Sequence, residues 1–286
     1  MISIPVATHC DLFEWQLDLF WFCHRQIYGQ DASSKARAIV IKRNDPYVAK
    51  SHRLDWNVDI PHAMCEAFFD IPIMEFSRVA LPINIQVGLA QILPRMDDRI
   101  LIEVIDCDMI HFRRHPIPRI NDNELIVSTI YEDWHLHSRT GNRHVIERYF
   151  ENGGEFYNGG FVPIIGKVST FKKILYEWIA VHIDILRRPL SSALHWWAGM
   201  FALQAACEKA RINMINEDFC YIPGANQLSP GHYIGHYSVD KIFDKQLFPH
   251  IDLQKFDLSN PFYGIIKGWS EARSGGRIAS NGMAAW

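Results

Sequence analysis

Asp106-Cys107-Asp108 closes the apolar run Ile100-Leu101-Ile102-Glu103-Val104-Ile105. A strand over that run sends successive side chains to opposite faces and releases the chain at the sheet edge. Two carboxylates at such an edge can hold a divalent cation through hard oxygen ligands, and a cation there can neutralise a diphosphate. The same pair also suits a plain turn, because aspartates are common after strands. Glu103, inside the apolar run, reads as an edge or hydrogen-bonded carboxylate rather than a catalytic one.

Other chemistry-bearing residues are scattered along the chain. Asn158-Gly159-Gly160 would let the backbone approach a ligand closely, or would form a tight turn. Glu217-Asp218 follows the apolar stretch Ile212 to Ile215, so Asp218 could accept a hydrogen bond or a proton from an incoming hydroxyl; a solvated loop pair is the plainer alternative. His232 and His236 are four apart, but Pro230, Gly231 and Gly235 exclude a helix between them, which leaves one as a candidate nitrogen ligand. Lys241 and Lys245 could offset the charge of a departing diphosphate or lie on the surface. The nine tryptophans could stack on sugar rings, although Trp178, Trp196 and Trp197 fall on helical stripes that read as core.

These residues need a scaffold, and the hydrophobic pattern supplies one. Ile2 to Ala7 reads as a strand, and Asp11-Leu12-Phe13-Glu14 resembles a capping box opening a helix. Leu12, Trp15, Leu19, Phe22 and Cys23 keep helical spacing, with Gly29 as the stop. Ala38-Ile39-Val40-Ile41 reads as a second strand buried on both faces, which is how parallel sheets look in sequence. A helix starting at Pro82 leads through Asp97-Asp98-Arg99 into the strand ending at Asp106. The segment Pro116 to Asn152 lacks periodicity and reads as an irregular insertion around the site mouth. Phe161 to Ile165 reads as a strand, the stretches around Trp178 and Trp196 as helices, and Ile212 to Ile215 as a further strand. Strand, helix, strand is the α/β pattern.

Composition bounds the function. At 286 residues and 48% hydrophobic, the chain can build a substantial core. A net charge of -3 without a basic stripe argues against nucleic acid as a partner. Six cysteines without a CxxC pair suggest neither a zinc cluster nor a disulfide framework, but reduced thiols. The chain shows no signal-like basic region and no transmembrane segment, which predicts a cytoplasmic protein.

Taken in order, these pieces resemble a GT-A glycosyltransferase, and more narrowly the hydroxyproline arabinosyltransferase and peptidyl-serine galactosyltransferase group. The similarity runs from about His9 to about Lys245. Its elements are Trp15-Gln16, Asn84 to Leu93, Asp106-Cys107-Asp108 as the DXD motif, Asn158 to Lys167, Trp196 with Met200, Asp218-Phe219 and His236-Tyr237. The resemblance implies an α/β, Rossmann-like, mixed but mostly parallel sheet flanked by helices in a single domain over 1–273. Residues 1–108 would be the nucleotide-binding half, 109–273 the acceptor-side half and 274–286 a flexible tail.

By the same resemblance Asp106, Asp108 and His236 would hold Mn²⁺ or Mg²⁺. Asp106, Thr8, Asn84, Gly159, Lys241 and Lys245 would bind the nucleotide-sugar, and Asn158 and Asp218 would be the catalytic pair near sugar and acceptor. The partners implied are a UDP-sugar donor and a glycan or glycoconjugate acceptor, with retention as the group's stereochemistry. One departure stands out: relatives commonly carry Glu where this chain has Gly199. Two other readings fit the same residues, a glycan- or nucleotide-sugar-binding protein without turnover, and a metal-dependent phosphohydrolase.

Overall fold

A computed structural model describes residues 1–8, 11–42, 58–66, 83–115, 117–128, 148–150, 161–188, 192–222, 227–237 and 261–274. Strand β1 (Ile2–Thr8) leads into helix α1 (Asp11–Tyr28), a single turn α2 (Ala32–Lys35) and strand β2 (Ala38–Lys42). Gly29 follows α1 with φ +59°, the left-handed helix stop its position predicts. Strand β3 (His62–Glu66) precedes α3 (Asn84–Ile92), which feeds β4 (Leu101–Asp106). The chain turns into β5 (Met109–His111), then forms β6 (Glu124–Ser128) and β7 (Phe161–Lys167). Helices α4 (Val168–Leu186) and α5 (Ser192–Ala210) pack on each other. Strands β8 (Asn213–Glu217), β9 (Cys220–Tyr221) and β10 (Ile234–His236) and helix α6 (Pro261–Ser274) complete the described chain.

The architecture is α/β. Seven strands form a sheet in the order β3-β2-β1-β4-β7-β6-β8, and only β7 runs against its neighbours. Ala38 to Ile41 of β2 are all buried, as their parallel reading requires, and the central strands β1 and β4 are buried along most of their length. The sheet draws strands from both expected halves of the chain, so residues 1–108 and 109–273 share one scaffold.

Strand β1 connects through α1 to β2 on one side, and the path through α3 returns to β4 on the other. The strand order therefore reverses between β1 and β4. At such a switch point the connections diverge and leave a crevice beyond the carboxyl ends of the two strands. Thr8 ends one and Asp106 ends the other.

The structure corrects one sequence reading, bears out another and adds a helix. The stretch Pro116 to Asn152 contains β6, an interior strand whose Leu125, Ile126 and Val127 are buried; its five residues are too few to stand out among the surrounding charges. The strand expected over Ile212 to Ile215 is present as Asn213–Glu217, at the sheet's far edge. Helix α6, which the sequence reading passes over, packs against α1.

A second sheet of three short strands, β5-β10-β9, is joined to β4 through the acidic turn. Cys23, Cys65, Cys107, Cys207 and Cys220 are all free and buried, as reduced thiols should be. Among the described residues no helix is long and apolar enough to cross a membrane.

Candidate metal centre

Asp106 is the last residue of β4 and pairs with Val6 of β1, which fixes its backbone in the sheet. Asp108 lies in the following turn. Strand β5 then pairs antiparallel with β10 so that Met109 faces His236, and this register carries the histidine alongside the turn. The Tyr237 N–H donates to the Asp108 carbonyl at 3.2 Å and continues the ladder by one rung. His236 Nε2 comes to 3.0 Å from Asp108 Oδ1. Asp106, Asp108 and His236 each offer one ligand atom, all within 4.8 Å of one another. Asp108 and His236 are buried and Asp106 is half-buried.

The donor set fits a divalent cation. Two carboxylates and one imidazole suit Mn²⁺ better than Mg²⁺, because the nitrogen is a softer ligand than Mg²⁺ prefers. Donors placed about 2.1 Å from one ion at right angles lie roughly 3 Å apart, which is the His236–Asp108 spacing. Three protein ligands leave positions for substrate oxygens.

Neighbouring residues set the turn's shape. The buried Cys107 Sγ–H donates to Gln16 Oε1 at 3.0 Å, tying the middle of the acidic turn to α1. Gly235, just before the histidine, lies where backbone and two rings meet. A Cβ there would sit 2.4 Å from Phe112 Cζ and 2.7 Å from Phe262 Cζ. Behind His236, Trp15, Leu19, Ile110, Tyr237, Phe262, Ile266 and Trp269 form a separate small core. Asp18 accepts from Trp269 Nε1 at 2.9 Å and from Arg273 at 2.7 Å, and so pins α6 to α1. Full burial of side chains such as Phe262 and Ile266 contributes roughly 1.5–3 kcal/mol each.

Glu103 is fully buried and accepts three hydrogen bonds, from Ser3 Oγ at 2.6 Å, Tyr233 OH at 2.7 Å and His111 Nε2 at 2.9 Å. Burial works to raise its pKa, but His111 and the hydroxyl donors outweigh it and hold the carboxyl at about 2. The same carboxylate, together with burial, pushes the Tyr233 hydroxyl well up, so it stays a donor. Two other buried rings are held neutral. Burial, with His111 nearby, lowers His24 to about 3, and burial lowers His182 to about 3.

Asp218 is not part of the metal group. It pairs with His232 Nε2 at 3.0 Å, and His232 follows a turn two residues before β10 begins. The Ser229 N–H donates to His232 Nδ1 at 2.9 Å, which leaves Nε2 as the protonated nitrogen donating to Asp218. The Asp218 side chain remains 55% exposed, so a carboxylate held by a buried ring faces solvent.

Thr8 is buried at the end of β1, on the strand next to Asp106. The backbone of Asn84 opens α3; its side chain lies outside the described residues, as do Asn158, Gly159, Lys241 and Lys245. Gly199 sits against a buried pair, Gln86 Nε2 and His182 Nδ1 at 3.0 Å, and a Cβ there would meet His182 Cε1 at 3.1 Å. The position that carries Glu in the resembled group is thus walled by an imidazole and an amide.

Sequence reasoning missed Gln16 as a support of the turn and the donors that converge on Glu103. A buried carboxylate inside an apolar strand was the signal for the second, since such a charge requires partners. Comparison with protein-family models and with curated proteins returns no match, so the chemical reading rests on how these side chains are arranged.

Proposed function

We propose that this chain is a metal-dependent glycosyltransferase of the GT-A kind, moving a sugar from a nucleoside diphosphate, UDP in the first instance, to a hydroxyl of a glycan or glycoconjugate. The observation that carries the reading is the convergence of Asp106, Asp108 and His236 at the switch point of a mostly parallel sheet. A mixed sheet with one antiparallel strand and a small sheet hanging from the acidic turn also supports the GT-A assignment.

In this reading Asp106, Asp108 and His236 hold Mn²⁺ or Mg²⁺. When bound, that ion supplies positive charge where the diphosphate leaves. Cys107 and Gln16 keep the turn's carboxylates in place. Thr8 and the start of α3 line the crevice for the nucleotide. Asp218 positions sugar or acceptor: with His232 donating to it, its carboxylate is a hydrogen-bond acceptor for hydroxyls first and a proton acceptor second. That role accords with transfer by retention.

The test is a screen of UDP-sugars for Mn²⁺-dependent UDP release, followed by the same assay on Asp108→Ala. Release that needs the metal and the carboxylate supports the proposal. UDP binding without release under any acceptor mixture would support a nucleotide-sugar-binding protein instead, the reading that the missing carboxylate at Gly199 favours. Phosphate release without sugar transfer would point to a phosphohydrolase.

A further inference from the structure

Glu103 lies three residues before Asp106 on β4. Its partner His111 lies three residues after Asp108, and its partner Tyr233 lies three residues before His236. The three chain segments that carry the three ligands are therefore joined a second time, three residues away along each of them, by a single fully buried carboxylate. Ser3 adds a fourth segment, β1, whose far end carries Thr8. From this arrangement we infer that Glu103 is a positioning residue for the metal centre: it sets the spacing of the acidic turn and β10 before any ion arrives.

The physical case has two parts. Asp108 and His236 come from short pieces, a turn and a three-residue strand, and neither is long enough to hold its own geometry. Their placement depends on how the residues flanking them are held. Glu103 receives one donor from β5, which follows the turn, one from the residue just before β10 and one from β1, and all three donors are fixed: Ser3 by its rung in the sheet, His111 and Tyr233 by stacked rings 6.0 Å apart. A buried charge makes such hydrogen bonds stronger and less tolerant of displacement than neutral pairs. Supporting groups of this kind orient ligands, and their loss typically weakens metal binding by about 10–100-fold.

The inference rests on the metal-site reading, and the experiment separates the two. Mn²⁺ binding is measured by calorimetry and by the electron paramagnetic resonance of the bound ion, for the full chain and for Glu103→Gln. The amide keeps the shape and removes the charge, so binding should weaken by at least about tenfold, with an altered spectrum of the bound ion. Tyr233→Phe removes one donor and should weaken binding by less, in the same direction; it carries the test if Glu103→Gln does not fold. Ile174→Val, a core change on α4 away from the site, controls for general destabilisation and should leave Mn²⁺ affinity unchanged. A folded Glu103→Gln, or failing that Tyr233→Phe, with wild-type affinity and spectrum overturns the positioning role and leaves the metal site standing. An unaltered protein that binds no Mn²⁺ overturns both.

Discussion

His236 Nε2 stands 3.0 Å from Asp108 Oδ1 across 128 residues of chain. A contact that long-range exists only because β5 and β10 pair in one register, with Met109 opposite His236. A slip of one residue would turn the imidazole to the other face of the small sheet.

Replacing Asp108 tests the chemistry most directly. Asp108→Ala should fold and should lower turnover at least about a hundredfold, equivalent to roughly 2.7 kcal/mol of transition-state stabilisation. Wild-type rates in a folded Asp108→Ala, measured as Mn²⁺-dependent UDP release, would remove this residue from the mechanism.

Asp218 should behave differently, because it pairs with His232 and is outside the group formed by Asp106, Asp108 and His236. Asp218→Asn is expected to leave Mn²⁺ affinity within about twofold of wild type, as distant sites usually act independently. Its effect should fall on transfer. A large loss of metal affinity, seen by calorimetry, would place Asp218 at the metal centre after all.

Gly235→Ala forces a methyl into a space bounded by Phe112 and Phe262. Rings cannot swing aside as a flexible chain end can, so the substitution should cost about 1–3 kcal/mol of stability. Denaturant titration gives the stability, and calorimetry should show weaker Mn²⁺ binding because the residue adjoins His236.

Acid should destabilise the fold well above the pH at which exposed carboxylates titrate. Below about pH 6.5 the unfolded chain protonates His24 and His182, whereas the folded chain keeps both neutral down to about 3. The unfolded state then binds more protons, so stability falls as pH falls. The slope should approach roughly 2.7 kcal/mol per pH unit, one proton from each ring. Below about 4.5 Glu103 adds in the same direction, its carboxyl staying ionised until about 2. Thermal melts between pH 7 and 4.5 check this, and His24→Phe, whose ring suits the stack with Phe20 and Tyr28, should cut the slope by about half.

The main strands were legible because burial on both faces writes continuous apolar runs, as in Ala38 to Ile41 and Leu101 to Ile105. Gly29 was legible as a helix stop for its backbone freedom. Strand β6 and helix α6 were not: the first is short and framed by charges, and the second presents a mixed face whose partners lie some 250 positions upstream. Within the candidate site, Asp106 and Asp108 announced themselves by following an apolar strand. His236 did so less, since nothing beside it specifies a pairing with Met109: its spacing made it one of two candidate histidines, and only family resemblance chose it over His232. Local pattern excluded a helix around His232 and His236, and the structure has a turn at Pro230-Gly231 followed by a three-residue strand, Ile234–His236. Glu103 was visible as an anomaly, a charge in a core strand, yet its donors come from three other segments that no local pattern connects to it.

The docking of α6 behind Tyr237 has a consequence for the order in which the protein becomes competent. Synthesis delivers both aspartates early and the imidazole late, but the wall that steadies the imidazole emerges later still, with Phe262 and Trp269. A nascent chain halted just after residue 237 would contain Asp106, Asp108 and His236 and still lack the backing that holds them in register. Under the proposed function, ion capture should therefore be among the final acts of maturation, and shortening the carboxyl terminus through α6 should silence the candidate centre while leaving Asp106, Asp108 and His236 in place.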